Sequence, residues 1–168
     1  MLRLLCPNRS EAVIYDIEPY DLQRENIVGM IVDLDNTIIP WSSLNVPDAT
    51  MRWIRKLKAA GIQVCLLSNN CGPRVQKIAK ILQVPFVSKA RKPMIKGFRQ
   101  AVQMMDLLPQ QVAVVGDQIY TDILGGNRIG CYTIWVSPLS TKEFMGTKIT
   151  RRLERLTVLL LRHKGLFP

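Results

Sequence analysis

The chain has 168 residues, 48% of them hydrophobic, which is enough for one well-buried core and too little for two ordinary domains. Lys and Arg number 23 against 13 Asp and Glu, a net charge of +10, so the expected partner is anionic: a phosphorylated substrate, a polyanion or an acidic membrane surface. The four cysteines lack metal-type spacing and no apolar run reaches transmembrane length, which argues against a zinc ribbon, a disulfide scaffold and a membrane span.

Residues 1–7 have too short an apolar stretch for a signal-peptide core, so a cytoplasmic or equivalent reducing compartment is expected, with thiols that stay reduced. The positive charge is uneven. Residues 49–105 contain no Asp or Glu while Lys and Arg recur throughout, which predicts one strongly cationic side, most of it solvated helix face.

Residues 27–32 form an apolar run with a single glycine, the pattern of a strand buried on both faces, and Asp33 follows it directly. Asp48 behind Pro47 is positioned to cap a helix whose apolar residues Met51, Ile54 and Leu57 keep helical spacing, and Gly61 can end it. Residues 62–67 return to an apolar strand, and Val75, Ile78, Ala79 and Leu82 mark a second helix before a short strand at residues 86–87. Pro93 is read as opening a third helix through Ile95, Phe98, Val102 and Met105. A strand at residues 111–115, a short helix at 121–128 and a strand at 132–136 complete the alternation. Strands separated by helices of this length predict an α/β fold of Rossmann-like type, a parallel sheet with right-handed crossovers, within one domain spanning residues 1–168.

In such sheets ligands bind beyond the carboxyl ends of the strands. The segments at those ends are residues 33–37, 68–70, 89–92 and 116–122, and they hold nearly all the chemistry-capable groups. Asp33 and Asp35 share one strand-end loop, where two close carboxylates repel unless a cation or proton separates them. One can attack phosphorus while the other protonates the leaving alcohol, and the added charge of a phosphate calls for Mg²⁺ and a fixed lysine. An isolated Asp-x-Asp is most often an ordinary turn with a helix cap; its position after a buried strand, with Ser, Lys and Gly-Asp following in order, is what lifts it.

Those four segments closely resemble the motifs of the haloacid dehalogenase phosphatase superfamily: Val32-Asp33-Leu34-Asp35-Asn36-Thr37, Leu67-Ser68-Asn69-Asn70, Lys92-Pro93, and Gly116-Asp117 with Asp122. Further text, Lys89-Ala90-Arg91-Lys92-Pro93 and Gly125-Gly126-Asn127-Arg128 among it, resembles the YqeG branch, which is similar to phosphatidylglycerophosphate phosphatases. The resemblance implies a phosphomonoesterase working through an aspartyl-phosphate, with Asp33 as nucleophile and Asp35 as acid and base. It also implies Mg²⁺ held by Asp33, the Asp35 backbone carbonyl and Asp117, with Asp122 a further ligand or a residue behind the ligands. Ser68, the Asn69 backbone, Thr37 and Lys92 would receive the phosphate. Asn70, Arg91, Lys96 and Asn127 are open between substrate contact and loop structure.

Enzymes of this superfamily that act on small metabolites commonly carry an inserted cap domain, and neither residues 38–47 nor residues 72–89 leave room for one. The reading is therefore a capless member of subfamily III with an open site, suited to a phospholipid headgroup. Residues 149–166 place Arg151, Arg152, Arg155, Arg162 and Lys164 among leucines, a basic amphipathic helix that either packs on the core or lies peripherally on a membrane. Trp41 and Trp135 are read as core or pocket walls, with interfacial anchoring the alternative. Nucleic acid is not the expected partner. The alternatives are a capless phosphatase for nucleic-acid or protein phosphate ends, and a non-catalytic anion-binding or nucleic-acid-binding module.

Overall fold

The computed structural model of the chain describes residues 2–41, 43–140 and 145–167, with backbone alone for residues 145–152. Six strands form one sheet in the order β1-β6-β5-β2-β3-β4, and every pairing is parallel. They are β1 (Arg9–Glu11), β2 (Gly29–Asp33), β3 (Gln63–Leu67), β4 (Phe86–Val87), β5 (Val112–Gly116) and β6 (Tyr132–Val136). Between them run α1 (Pro19–Arg24), α2 (Asp48–Ala59), α3 (Gly72–Leu82), α4 (Ile95–Met104) and α5 (Leu124–Ile129), and α6 (Met145–His163) follows the last strand.

The continuous apolar runs are explained by burial on both faces. In β2, Met30 and Val32 join a core cluster with Trp53, Ile54, Leu57, Val75 and Ile78 of α2 and α3. Ile31, pointing the opposite way, joins Phe98, Ala101 and Val102 of α4. Among the described residues no folded unit intervenes between β2 and α2 or between α3 and β4, so the carboxyl ends of the strands carry no cap.

Several local expectations are corrected. Asp48 is the first residue of α2 rather than its cap, which falls on Pro47. Pro93 does not open α4: the Lys92-Pro93 peptide is cis and the helix starts at Ile95. The helix expected at residues 121–128 is split into a wide π turn, Ile119–Ile123, and α5. Gly61 does close the α2 corner with φ +81°, a conformation that suits a residue without Cβ.

The N-terminal segment adds two elements with no counterpart in the sequence reading, β1 and α1. β1 extends the sheet beside β6, and Asn127 of α5 holds the preceding turn by donating to the carbonyls of Leu4 (2.8 Å) and Cys6 (2.9 Å). At the other end α6 begins four residues before the expected start at residue 149; the side chains of Arg151 and Arg152 lie outside the described residues.

Candidate active site

β2 and β5 are neighbours in the sheet, so the residues at their ends meet. Asp33 closes β2, Asp117 follows β5, and the π turn brings Asp122 back beneath Asp117. Asp33, Asp117 and Asp122 are all buried, and each brings a carboxylate oxygen within 4.8 Å of the others. Gly116 makes this possible, because a Cβ there would collide with the Asp122 carboxylate. The Thr37 hydroxyl stands 3.3 Å from Asp33 Oδ2 and 3.2 Å from Asp117 Oδ1, within reach to donate to either.

One cation serves this group. Lys92 is 9% exposed, donates to Asp33, and reaches Asp122 Oδ1 at 2.6 Å. Burial alone would pull its ammonium pKa down, but Asp122 and Asp33 more than offset that and raise it above the ordinary value, so it stays charged. The pKa of Asp33 is raised as well, which for a carboxyl favours the neutral form. Burial pushes its carboxyl up to about 8 against the help of Lys92, and Asp122 and Asp117 push in the same direction.

Three buried carboxylates around a single ammonium leave an excess of negative charge that only protons or a further cation can offset. Hard oxygen donors from Asp33, Asp117 and Asp122 fit a divalent ion such as Mg²⁺. Asp122 also accepts the Gln118 backbone N–H at 3.2 Å, so it fixes the start of the π turn as well as Lys92.

Asp35 takes a different direction. Its Oδ2 accepts a 2.6 Å hydrogen bond from Asn70 Nδ2, and its Oδ1 lies 2.6 Å from Arg74 Nη1 on α3. Arg74 also donates from Nε to the Ser43 carbonyl at 3.0 Å, tying the loop after β2 to α3. Asn36, directly after Asp35, turns the chain with φ 62°, and its side chain accepts from the Trp41 backbone N–H and the Ser140 hydroxyl.

Ser68 is buried after β3, and its Oγ accepts the Asn70 N–H at 3.1 Å. The Asn69 side chain clamps the Lys92 backbone, accepting its N–H at 2.7 Å and donating to its carbonyl at 3.4 Å. A cleft of about 380 Å³ joins these groups; Asp33, Asp35, Ser68, Asn69, Asn70 and Lys92 line it together with Trp41, Gln118 and Thr121. The expected site residues are thus gathered in one place, with Thr37, Asp117 and Asp122 beneath it.

Arg74 has no counterpart in the sequence reading, which holds it as one helix cation among many; its place near the start of α3, just after Ser68-Asn69-Asn70, is the signal that marks it. Gln118 and Thr121, within the Gly-Asp segment, are likewise new as cleft walls. Asn127 is excluded from substrate contact by its work on the N-terminal carbonyls and on Thr133. Arg91 and Lys96 are exposed and are not among the cleft's lining residues. Trp135 donates its indole N–H to the Asp117 carbonyl at 3.1 Å, a wall behind the site.

Residues 15–130 match the family model described as haloacid dehalogenase-like hydrolase. The chain belongs to that family. The probable phosphatase YqeG of Bacillus subtilis is 39% identical over 97% of this chain and 95% of its own length. The chloroplastic phosphatidylglycerophosphate phosphatase 1 of Chlamydomonas reinhardtii is 28% identical over 98% of this chain, which spans 65% of that relative. Among solved structures, the cobalt-bound deoxy-D-mannose-octulosonate 8-phosphate phosphatase of Haemophilus influenzae shares the fold, with a TM-score of 0.52, 16% identity, and coverage of 84% of this chain and 91% of that one. Family and fold together make this protein a phosphatase with a Rossmann-like parallel sheet. No described helix is long and apolar enough to cross a membrane.

Proposed function

We propose that the protein is a Mg²⁺-dependent phosphomonoesterase that removes the terminal phosphate of phosphatidylglycerophosphate, releasing phosphatidylglycerol and inorganic phosphate. The observation that carries this reading is the buried carboxylate group around Lys92 in a cleft for which, among the described residues, no cap is inserted between β2 and α2 or between α3 and β4. An uncapped cleft admits the end of a bulky molecule, and the likeness to a phosphatidylglycerophosphate phosphatase supports a lipid headgroup as that end.

In this reading Asp33 attacks phosphorus and the bond to the leaving alkoxide breaks, with Asp35 giving its proton to that oxygen. Water then attacks the aspartyl-phosphate, Asp35 takes the proton back, and orthophosphate leaves with the Asp33 carboxylate restored. Lys92 neutralises a phosphoryl oxygen while holding Asp33 in line, and Ser68, Thr37 and the Asn69 backbone receive the remaining oxygens. Mg²⁺, held by Asp33, Asp117, the Asp35 carbonyl and Asp122 directly or from behind, would screen the charge of the incoming phosphate. The working location is a reducing compartment, at the surface of a membrane.

Phosphate release from phosphatidylglycerophosphate, phosphatidic acid, a 5'-phosphorylated oligonucleotide, a phosphopeptide and small phosphate esters tests the assignment. Phosphatidylglycerophosphate should be turned over fastest, and excess chelator should stop the reaction. Faster release from the oligonucleotide or phosphopeptide would replace the lipid assignment, and full activity in chelator would remove the metal.

A further inference from the structure

Helix α6 is mounted by Glu154, Thr157 and Leu161 and shows most of its described leucines to solvent. Glu154 is buried and accepts the Tyr120 backbone N–H at 3.2 Å, and the Thr157 hydroxyl pairs with the Tyr120 hydroxyl. Of the described leucines within the helix only Leu161 is buried. Leu153, Leu156, Leu159 and Leu160 are exposed by 53%, 64%, 61% and 44%. At about 100° per residue these four fall in one sector of roughly 120°, with His163 inside it.

The borders of that sector are cationic. Arg155 and Arg162 lie along one side and Lys164 beyond the other, all exposed. The sole acid among the described side chains of α6, Glu154, faces inward. A contiguous apolar strip of this kind on a surface marks a binding face, and its rim selects what binds. A second copy of the chain would set cation against cation at a net charge of +10 each. An acidic bilayer offers hydrocarbon for the leucines and negative headgroups for the rim.

We infer that the leucine face of α6 docks on an anionic lipid bilayer and holds the active-site cleft at its surface, an inference that rests on the lipid-substrate reading. The mounting supports the second half. Tyr120 lies between the cleft residues Gln118 and Thr121 and is the residue that α6 grips. Past the helix end, Phe167 sits edge-on to Trp135 at 5.7 Å, and Trp135 holds the Asp117 carbonyl. A docked α6 therefore brings the metal-binding loop with it.

The test is co-sedimentation of the full chain with phosphatidylglycerol–phosphatidylcholine vesicles and with phosphatidylcholine vesicles alone, for wild type, Leu156→Ser/Leu160→Ser and Arg155→Glu. Wild type should bind the acidic vesicles, less so as salt is raised, and not the neutral ones. The leucine pair should weaken binding by about tenfold or more, while turnover of a small soluble phosphate ester is unchanged. Equal binding by wild type and the leucine variant overturns the inference, as does wild type that binds no vesicle. So does a dimer in sedimentation velocity that the leucine variant converts to monomer while vesicle binding persists. Loss of vesicle binding in the variants, together with no hydrolysis of phosphatidylglycerophosphate by wild type, leaves the docking face standing and removes the substrate assignment.

Discussion

Arg74 Nη1 on α3 lies 2.6 Å from Asp35 Oδ1, so the carboxylate assigned to proton transfer is held by a helix that supplies none of the acidic cluster. With Asn70 on the other oxygen, Asp35 is gripped from one side and its rotamer is fixed relative to Asp33. A positioning residue of this kind acts through geometry. Arg74→Gln should lower kcat by roughly tenfold or more with little change in KM, and Arg74→Lys should recover part of the loss. Steady-state kinetics with a soluble ester decides; a rise in KM alone would make Arg74 a substrate contact instead.

Asp33→Asn removes the attacking oxygen anion while keeping the shape of the side chain. Turnover should fall by at least about a thousandfold, and the metal-free protein should melt no lower than wild type, because one of three crowded acids has been neutralised while Lys92 keeps Asp122. Phosphate release and a thermal melt check both halves. Retained turnover would rule out the covalent route.

Lys92→Met has the opposite character. It strands Asp33 and Asp122 without their shared ammonium, and breaking a buried pair in this way costs about 3 to 5 kcal/mol. Chemical denaturation of the metal-free variant should show that loss, and added Mg²⁺ should return part of it.

The Asp33 carboxyl is raised to about 8 from an ordinary 3.8, so between those values the folded, metal-free protein keeps a proton that the unfolded chain has released. Its stability should therefore decline as pH rises through that window and level off above it. Metal binding must displace the same proton, so Mg²⁺ affinity should weaken as pH falls below about 8. Calorimetric titrations in buffers of different ionisation enthalpy measure the proton release directly; an affinity independent of pH would contradict it.

The aspartates and Lys92 are legible in the sequence because each follows a buried apolar strand or stands at the fixed place where such a strand's loop ends, and parallel topology gathers strand ends. Arg74 is not, because a cation on an amphipathic helix reads as solvated until the fold shows what it faces. The π turn at Ile119–Ile123 hides behind helical periodicity that survives one extra residue. α6 misleads in a subtler way: leucine spacing predicts a face but not which way it looks, and here the anchor is Glu154 with Thr157.

β1 escapes notice because Arg9-Ser10-Glu11 has no apolar residue, and that polarity has a consequence during synthesis. Asn8, at its start, bonds to Thr133, 125 positions later in the chain, so the strand emerges from the ribosome long before β6 exists to receive it. An apolar strand left waiting would offer its open backbone edge to other nascent chains. A polar one can wait in water, and in the folded chain Arg9 pairs with Glu11 and Asp21 of the same N-terminal segment. The price is borne at the sheet's edge, where β1 adds little burial and must be held by side chains such as Asn127.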